Sequence, residues 1–83
     1  MSKKILIVED DKLLATIFRM FLKELGYELV GIINDGKKAI EKCRQLNPDV
    51  ILMDIHLQGE IDGIKTTRIL QEDLHVPVIF ISH

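Results

Sequence analysis

This chain has few of the residues that usually announce a protein's chemistry. It holds one cysteine, no tryptophan, two prolines and five glycines, and aromatic residues make up 5% of its 83 positions. A single thiol excludes an internal disulfide and a cysteine-based metal knuckle. Cys43 falls mid-way along a predicted helix and reads as a semi-buried structural side chain. No apolar run approaches the roughly 20 residues needed to cross a bilayer. The N-terminal apolar run is also too short, and too soon followed by acids, for a signal peptide. The expected location is therefore cytoplasmic, with no membrane partner. Neither sign of charge dominates, since 11 basic residues face 13 acidic ones for a net charge of −2. Nucleic-acid binding needs a clustered basic face, and Lys3-Lys4 and Lys37-Lys38 are too short to make one. With no linker, repeat or low-complexity segment, the 47% hydrophobic content describes one small domain. Such a domain is marginal unless its core is complete.

What the chain does have is a pair of apolar runs that end in acid. Ile5-Leu6-Ile7-Val8 runs into Glu9-Asp10, and Val50-Ile51-Leu52-Met53 runs into Asp54. Short apolar runs rich in β-branched residues predict strands buried on both faces, as in a parallel sheet covered by helices. If the two strands are neighbours, three carboxylates meet at the carboxyl edge of the sheet, where open α/β sheets bind ligands.

Between these runs the period changes. Leu13, Leu14, Ile17, Phe18, Phe21, Leu22 and Leu25 recur at helical spacing, and Gly26 stops the helix. Residues 27–33 predict a second strand, closed by the turn signal Asn34-Asp35-Gly36. Residues 37–46 predict a helix with Ala39, Ile40, Cys43 and Leu46 inward; Asn47-Pro48 ends it, because a residue before proline avoids helical geometry. A strand over 49–54, a loop from 55 to about 62, a helix over 63–72 and a strand over 78–82 complete the order βαβαβαβ. That alternation argues for a parallel sheet with right-handed crossovers. The last strand ends on an open apolar edge, a site for pairing or aggregation. The chain is thus expected to be a fragment of a longer domain, or to be completed by another chain.

Asp54 should project into the crevice at the sheet edge, facing Glu9 and Asp10. Two carboxylates about 4 Å apart repel by roughly 4 kcal/mol at an effective dielectric near 20. Such a site must bind a proton, recruit a cation or hold its acids apart. Oxygen ligands without a His/Cys set suit a hard cation, Mg²⁺ or Mn²⁺. Asp11 stands at a helix start and reads as an N-cap.

Four stretches together resemble the receiver domain of two-component response regulators. They are Lys4-Ile5-Leu6-Ile7-Val8-Glu9-Asp10-Asp11, Pro48-Asp49-Val50-Ile51-Leu52-Met53-Asp54, Asp62-Gly63, and Pro77-Val78-Ile79-Phe80-Ile81-Ser82. The resemblance implies a flavodoxin-like, doubly wound α/β sheet with strand order 2-1-3-4. It implies that Asp54 accepts a phosphoryl group from a phosphohistidine on a sensor histidine kinase or phosphotransfer protein. It further implies Mg²⁺ (or Mn²⁺) held by Glu9, Asp10, Asp54 and the backbone carbonyl of His56, with Ser82 as the switch hydroxyl. The His56 side chain is then expected to face solvent, Asp62-Gly63 is read as a turn and helix start, and His75 has no role.

Three departures stand beside the resemblance. The family's lysine on a fifth strand has no counterpart in residues 1–83, nor have the fourth and fifth helices, so the expectation is the N-terminal part of a receiver. Lys12 is not assumed to substitute. Gln58 stands where proline is usual, in a loop one residue longer than common, and His83 follows Ser82 where a small residue is commoner. The expected role is a phosphoacceptor module rather than an enzyme; a metal-dependent phosphohydrolase would want an acid where His56 stands. The alternative is a self-associating fragment without phosphotransfer, forming a homodimer by edge pairing or element exchange at the last strand.

Overall fold

The computed structural model describes residues 2–57 and 61–81. The elements run β1 (Lys4–Val8), α1 (Lys12–Glu24), β2 (Glu28–Ile33), α2 (Gly36–Leu46), β3 (Val50–Asp54), α3 (Gly63–Leu74) and β4 (Val78–Ile81). The strands form one parallel sheet in the order β2-β1-β3-β4. The element order, sheet type and strand order all match the expectation. Expectations for Gln58, Ser82 and His83 lie outside the described residues.

Alternation along the strands sorts the core into two layers. Leu6 and Val8 of β1 and Ile51 and Met53 of β3 pack with Ala39 and Cys43 of α2 and Leu70 of α3. Ile5 and Ile7 face the other way, toward Leu22 and Phe18 of α1, with Val50 and Leu52 beside them. Each large aliphatic side chain taken wholly from water contributes about 1.5–3 kcal/mol, so the central pair of strands carries much of the stability. Cys43 is fully rather than partly buried, consistent with a structural thiol.

The caps set the element ends and explain the small boundary differences. Asp11, Asp35 and Asp62 each cap a helix through the side chain. In α1, the expected inward stripe is too wide. Leu13, Phe21 and Leu25 are exposed, because a flat sheet covers one face of a helix and seven apolar positions wrap past it. Gly26 does stop α1: it adopts φ +84°, and its N–H and that of Tyr27 donate to the carbonyls of Lys23 and Leu22. That doubled closure uses a left-handed residue, the conformation glycine adopts at least cost. α2 ends at Asn47 as expected, but by another route. Asn47 is itself left-handed, at φ 49°, a conformation asparagine tolerates. α3 runs to Leu74, two residues past the expected end, and closes on a left-handed His75.

Candidate functional site

Parallel pairing of β1 with β3 runs Ile5↔Val50 through Val8↔Met53, so residues 9, 10 and 54 emerge at the same edge. The Glu9 N–H donates to the Ile33 carbonyl at 2.8 Å, which extends the β1–β2 ladder by one residue and fixes where Glu9 leaves it. Glu9 and Asp54 are buried and Asp10 is half-buried. One carboxylate oxygen from each lies within 4.8 Å of the others. The predicted convergence is present.

Each buried acid is held by a short local bond. Asp54 Oδ1 accepts the His56 N–H at 2.9 Å, a side-chain turn that orients the carboxylate. Its Oδ2 is buried and meets no backbone N–H among the described residues. Glu9 Oε2 accepts the Asp11 N–H at 3.0 Å. Asp11 itself turns away to cap α1, its Oδ1 accepting from the Leu13 and Leu14 N–H groups at 2.9 and 3.2 Å. The sequence expectation for Asp11 holds. The His56 side chain is exposed, also as expected.

Electrostatics follow from this packing. Burial, first, pushes the Glu9 carboxyl up to about 7. The charge of Asp54 and hydrogen bonding shared with Asp54 and Asp10 add to the rise, while the Asp11 N–H opposes it. Below about pH 7 Glu9 therefore carries a proton in this pocket, and above it the pocket's charge favours a cation. Buried, donor-poor carboxylate oxygens of this kind suit a hard divalent ion. Glu9, Asp10 and Asp54 are the side chains able to hold one.

Beside Glu9 and Asp10 opens a cavity of about 330 Å³ that is also lined by Lys12, Asn34 and Lys38. Sequence reasoning missed Asn34, in the β2–α2 connection, and Lys38, in the first turn of α2, which line the same cavity as Glu9 and Asp10 because β1 pairs with β2. No helix of the described residues is long and apolar enough to cross a membrane.

The model of the response regulator receiver domain family matches residues 5–83. The chain belongs to that family. It is 38% identical over 85 residues to the polar-differentiation response regulator DivK of Brucella ovis, covering 99% of this chain and 68% of the relative. It is 35% identical over 82 residues to the DNA-binding response regulator MtrA of Mycolicibacterium smegmatis, covering 99% of this chain. The receiver spans only 35% of that relative's length. Among solved structures, the signal receiver domain of a modulated diguanylate cyclase from Desulfovibrio desulfuricans superposes with a TM-score of 0.93 at 38% identity, over 98% of this chain and 65% of that one. The N-terminal domain of a response regulator/sensory box/GGDEF 3-domain protein from Carboxydothermus hydrogenoformans gives 0.88 at 41% identity, over 96% and 64%. The flavodoxin-like fold read from the sequence is thereby secured.

Proposed function

We propose that this receiver is a phosphoacceptor module of two-component signalling, located in the cytoplasm. Asp54 takes a phosphoryl group from a phosphohistidine on a sensor histidine kinase or a phosphotransfer protein. One observation carries the proposal: Asp54 is buried beside two further acids, with Oδ1 tied to the His56 N–H and Oδ2 left free of backbone donors. Oδ2 is then the nucleophilic oxygen. It forms a bond to phosphorus as the phosphorus–nitrogen bond breaks, and the departing imidazole nitrogen keeps the electron pair and takes a proton.

Glu9, Asp10, Asp54 and the His56 carbonyl are the groups proposed to hold Mg²⁺ or Mn²⁺, which when bound supplies charge neutralisation for an anion entering an acidic pocket. Positioning and electrostatics account for most of phosphoryl-transfer catalysis. The protein's share is to exclude water around Asp54, orient its carboxylate through His56 and present Oδ2 to the donor. The module is modified stoichiometrically and is not proposed as an enzyme.

Intact mass after incubation with acetyl phosphate and Mg²⁺ tests the reading. One phosphoryl group is expected on the wild type and none on Asp54→Asn. Equal labelling of both would remove Asp54 from the mechanism.

A homodimer through β4 is a second reading, favoured by one specific feature. Among the described residues β4 pairs only with β3, and Ile79 and Phe80, on opposite faces of the strand, are about half exposed.

A further inference from the structure

We infer that Gly63 is a positioning residue for the phosphoacceptor: α3 begins so close to the backbone of Asp54 that no side chain fits between them. This rests on the reading of Asp54 as the acceptor. Gly63 is buried. A Cβ there would stand 3.1 Å from both the Asp54 carbonyl carbon and Ile55 Cα, and nearer still to the Asp54 carbonyl oxygen. Carbon atoms in ordinary contact sit about 3.5–4.0 Å apart. All three obstacles are backbone atoms, so no change of rotamer opens the space.

One side of the collision is rigid. Asp62 Oδ1 accepts the Lys65 N–H at 2.9 Å, and the Asp62 carbonyl accepts the Thr66 N–H at 3.0 Å and the Thr66 hydroxyl at 2.7 Å. Thr66 is itself fully buried, which locks the first turn of α3. The other side is softer. The β3–β4 register ends at Asp54↔Ile81, and beyond it residues 54–56 form a single turn closed by the His56 N–H bond to the Asp54 carboxylate. An added methyl group therefore displaces that turn, and with it the carboxylate, relative to Glu9 and Asp10. Gly63 sets the geometry of the acid pocket without entering it.

Gly36 provides a comparison, a crowded glycine away from Asp54. A Cβ there would collide with Thr66 Oγ1 and come within 2.9 Å of Ile61 Cγ1 and 3.1 Å of the Ile61 carbonyl oxygen. Two of those obstacles are side-chain atoms and none belongs to the three acids.

The experiment compares wild type, Gly63→Ala and Gly36→Ala in the full chain. It reads thermal stability, the NMR position and hydrogen-exchange protection of the His56 amide, and acetyl-phosphate labelling per folded molecule. Both variants are expected to lose stability. Only Gly63→Ala should move and deprotect the His56 amide, with labelling slowed roughly 10- to 100-fold, the scale of an ångström-level misplacement. An unchanged His56 amide and labelling rate in folded Gly63→Ala would overturn the inference, as would the same changes in Gly36→Ala. If the wild type does not label, the acceptor reading fails and the His56 amide alone decides whether Gly63 positions Asp54. Should Gly63→Ala unfold, the comparison moves to concentrated sucrose, which favours burial. Failure to fold there, while Gly36→Ala folds, would count against a local effect.

Discussion

The two ends of the sheet treat their acids in opposite ways. At the amino end Asp49 is exposed, and its Oδ2 accepts the Lys4 N–H at 2.7 Å while its own N–H donates to the Lys4 carbonyl at 2.8 Å. That reciprocal pair pins the starts of β1 and β3, and one acid is enough. At the carboxyl end three acids converge, two of them fully buried. The first arrangement stabilises the fold; the second works against it. Nothing in chain geometry demands the difference, because parallel pairing brings β1 and β3 together at both ends alike. A small domain that keeps carboxylates buried together gives up stability there, which is the usual mark of a functional site.

The largest test of this contrast is pH. Glu9 is held at about 7, against 4.5 in the unfolded chain. A carboxyl that binds its proton more tightly when folded contributes stability below pH 4.5 and loses it as pH rises through the folded value. Against a Glu9→Gln reference, the wild type should lose roughly 3 kcal/mol as pH climbs through that window. Added Mg²⁺ should raise the melting temperature more above pH ~7 than below it, because a proton no longer competes. Parallel pH–stability curves for wild type and Glu9→Gln would break the contrast.

Next comes Asp54→Asn in the absence of metal. The amide keeps an acceptor for the His56 N–H and removes a charge that raises Glu9, so the variant should be more stable than the wild type. A gain of about 1 kcal/mol is expected above pH ~7, where Glu9 is ionised, and each kcal/mol is worth roughly 4–8 °C in melting temperature in a domain of this size. The substitution proposed to abolish phosphorylation should thus strengthen the fold. Destabilisation instead would mean that the Asp54 charge is well solvated or paired.

Much of this was legible in the chain. The runs from Ile5 to Val8 and Val50 to Met53 mark central strands because four successive apolar residues suit a sheet covered on both faces. The following acids then mark its functional edge. Asp11 was readable as a cap from its place before a periodic helix. The exposure of Leu13, Phe21 and Leu25 was not, since periodicity reports which residues share a face but not how wide a face the sheet can cover. Nor was the role of Gly63, because Asp-Gly signals a turn equally well whether or not a backbone lies 3 Å away. Asn34 and Lys38 reach the acid cavity only through strand pairing, which no local pattern encodes.

The smallest effect is expected at the opposite edge, and there its size is the point. Asp49→Ala removes the bond from the Lys4 N–H to Oδ2 but leaves the Asp49 N–H bond to the Lys4 carbonyl in place. The Lys4 N–H is exposed enough for water to replace the lost partner, so no buried donor is orphaned. The loss should be about 0.5 kcal/mol, the low end for a single hydrogen bond. Thermal unfolding measures it, and Mn²⁺ affinity should stay at the wild-type value, since Asp49 stands a full strand length from Asp54. A drop in metal affinity would mean that the two ends of the sheet are coupled. A loss several times larger would mean that the paired acid carries as much of the fold as the buried ones take away.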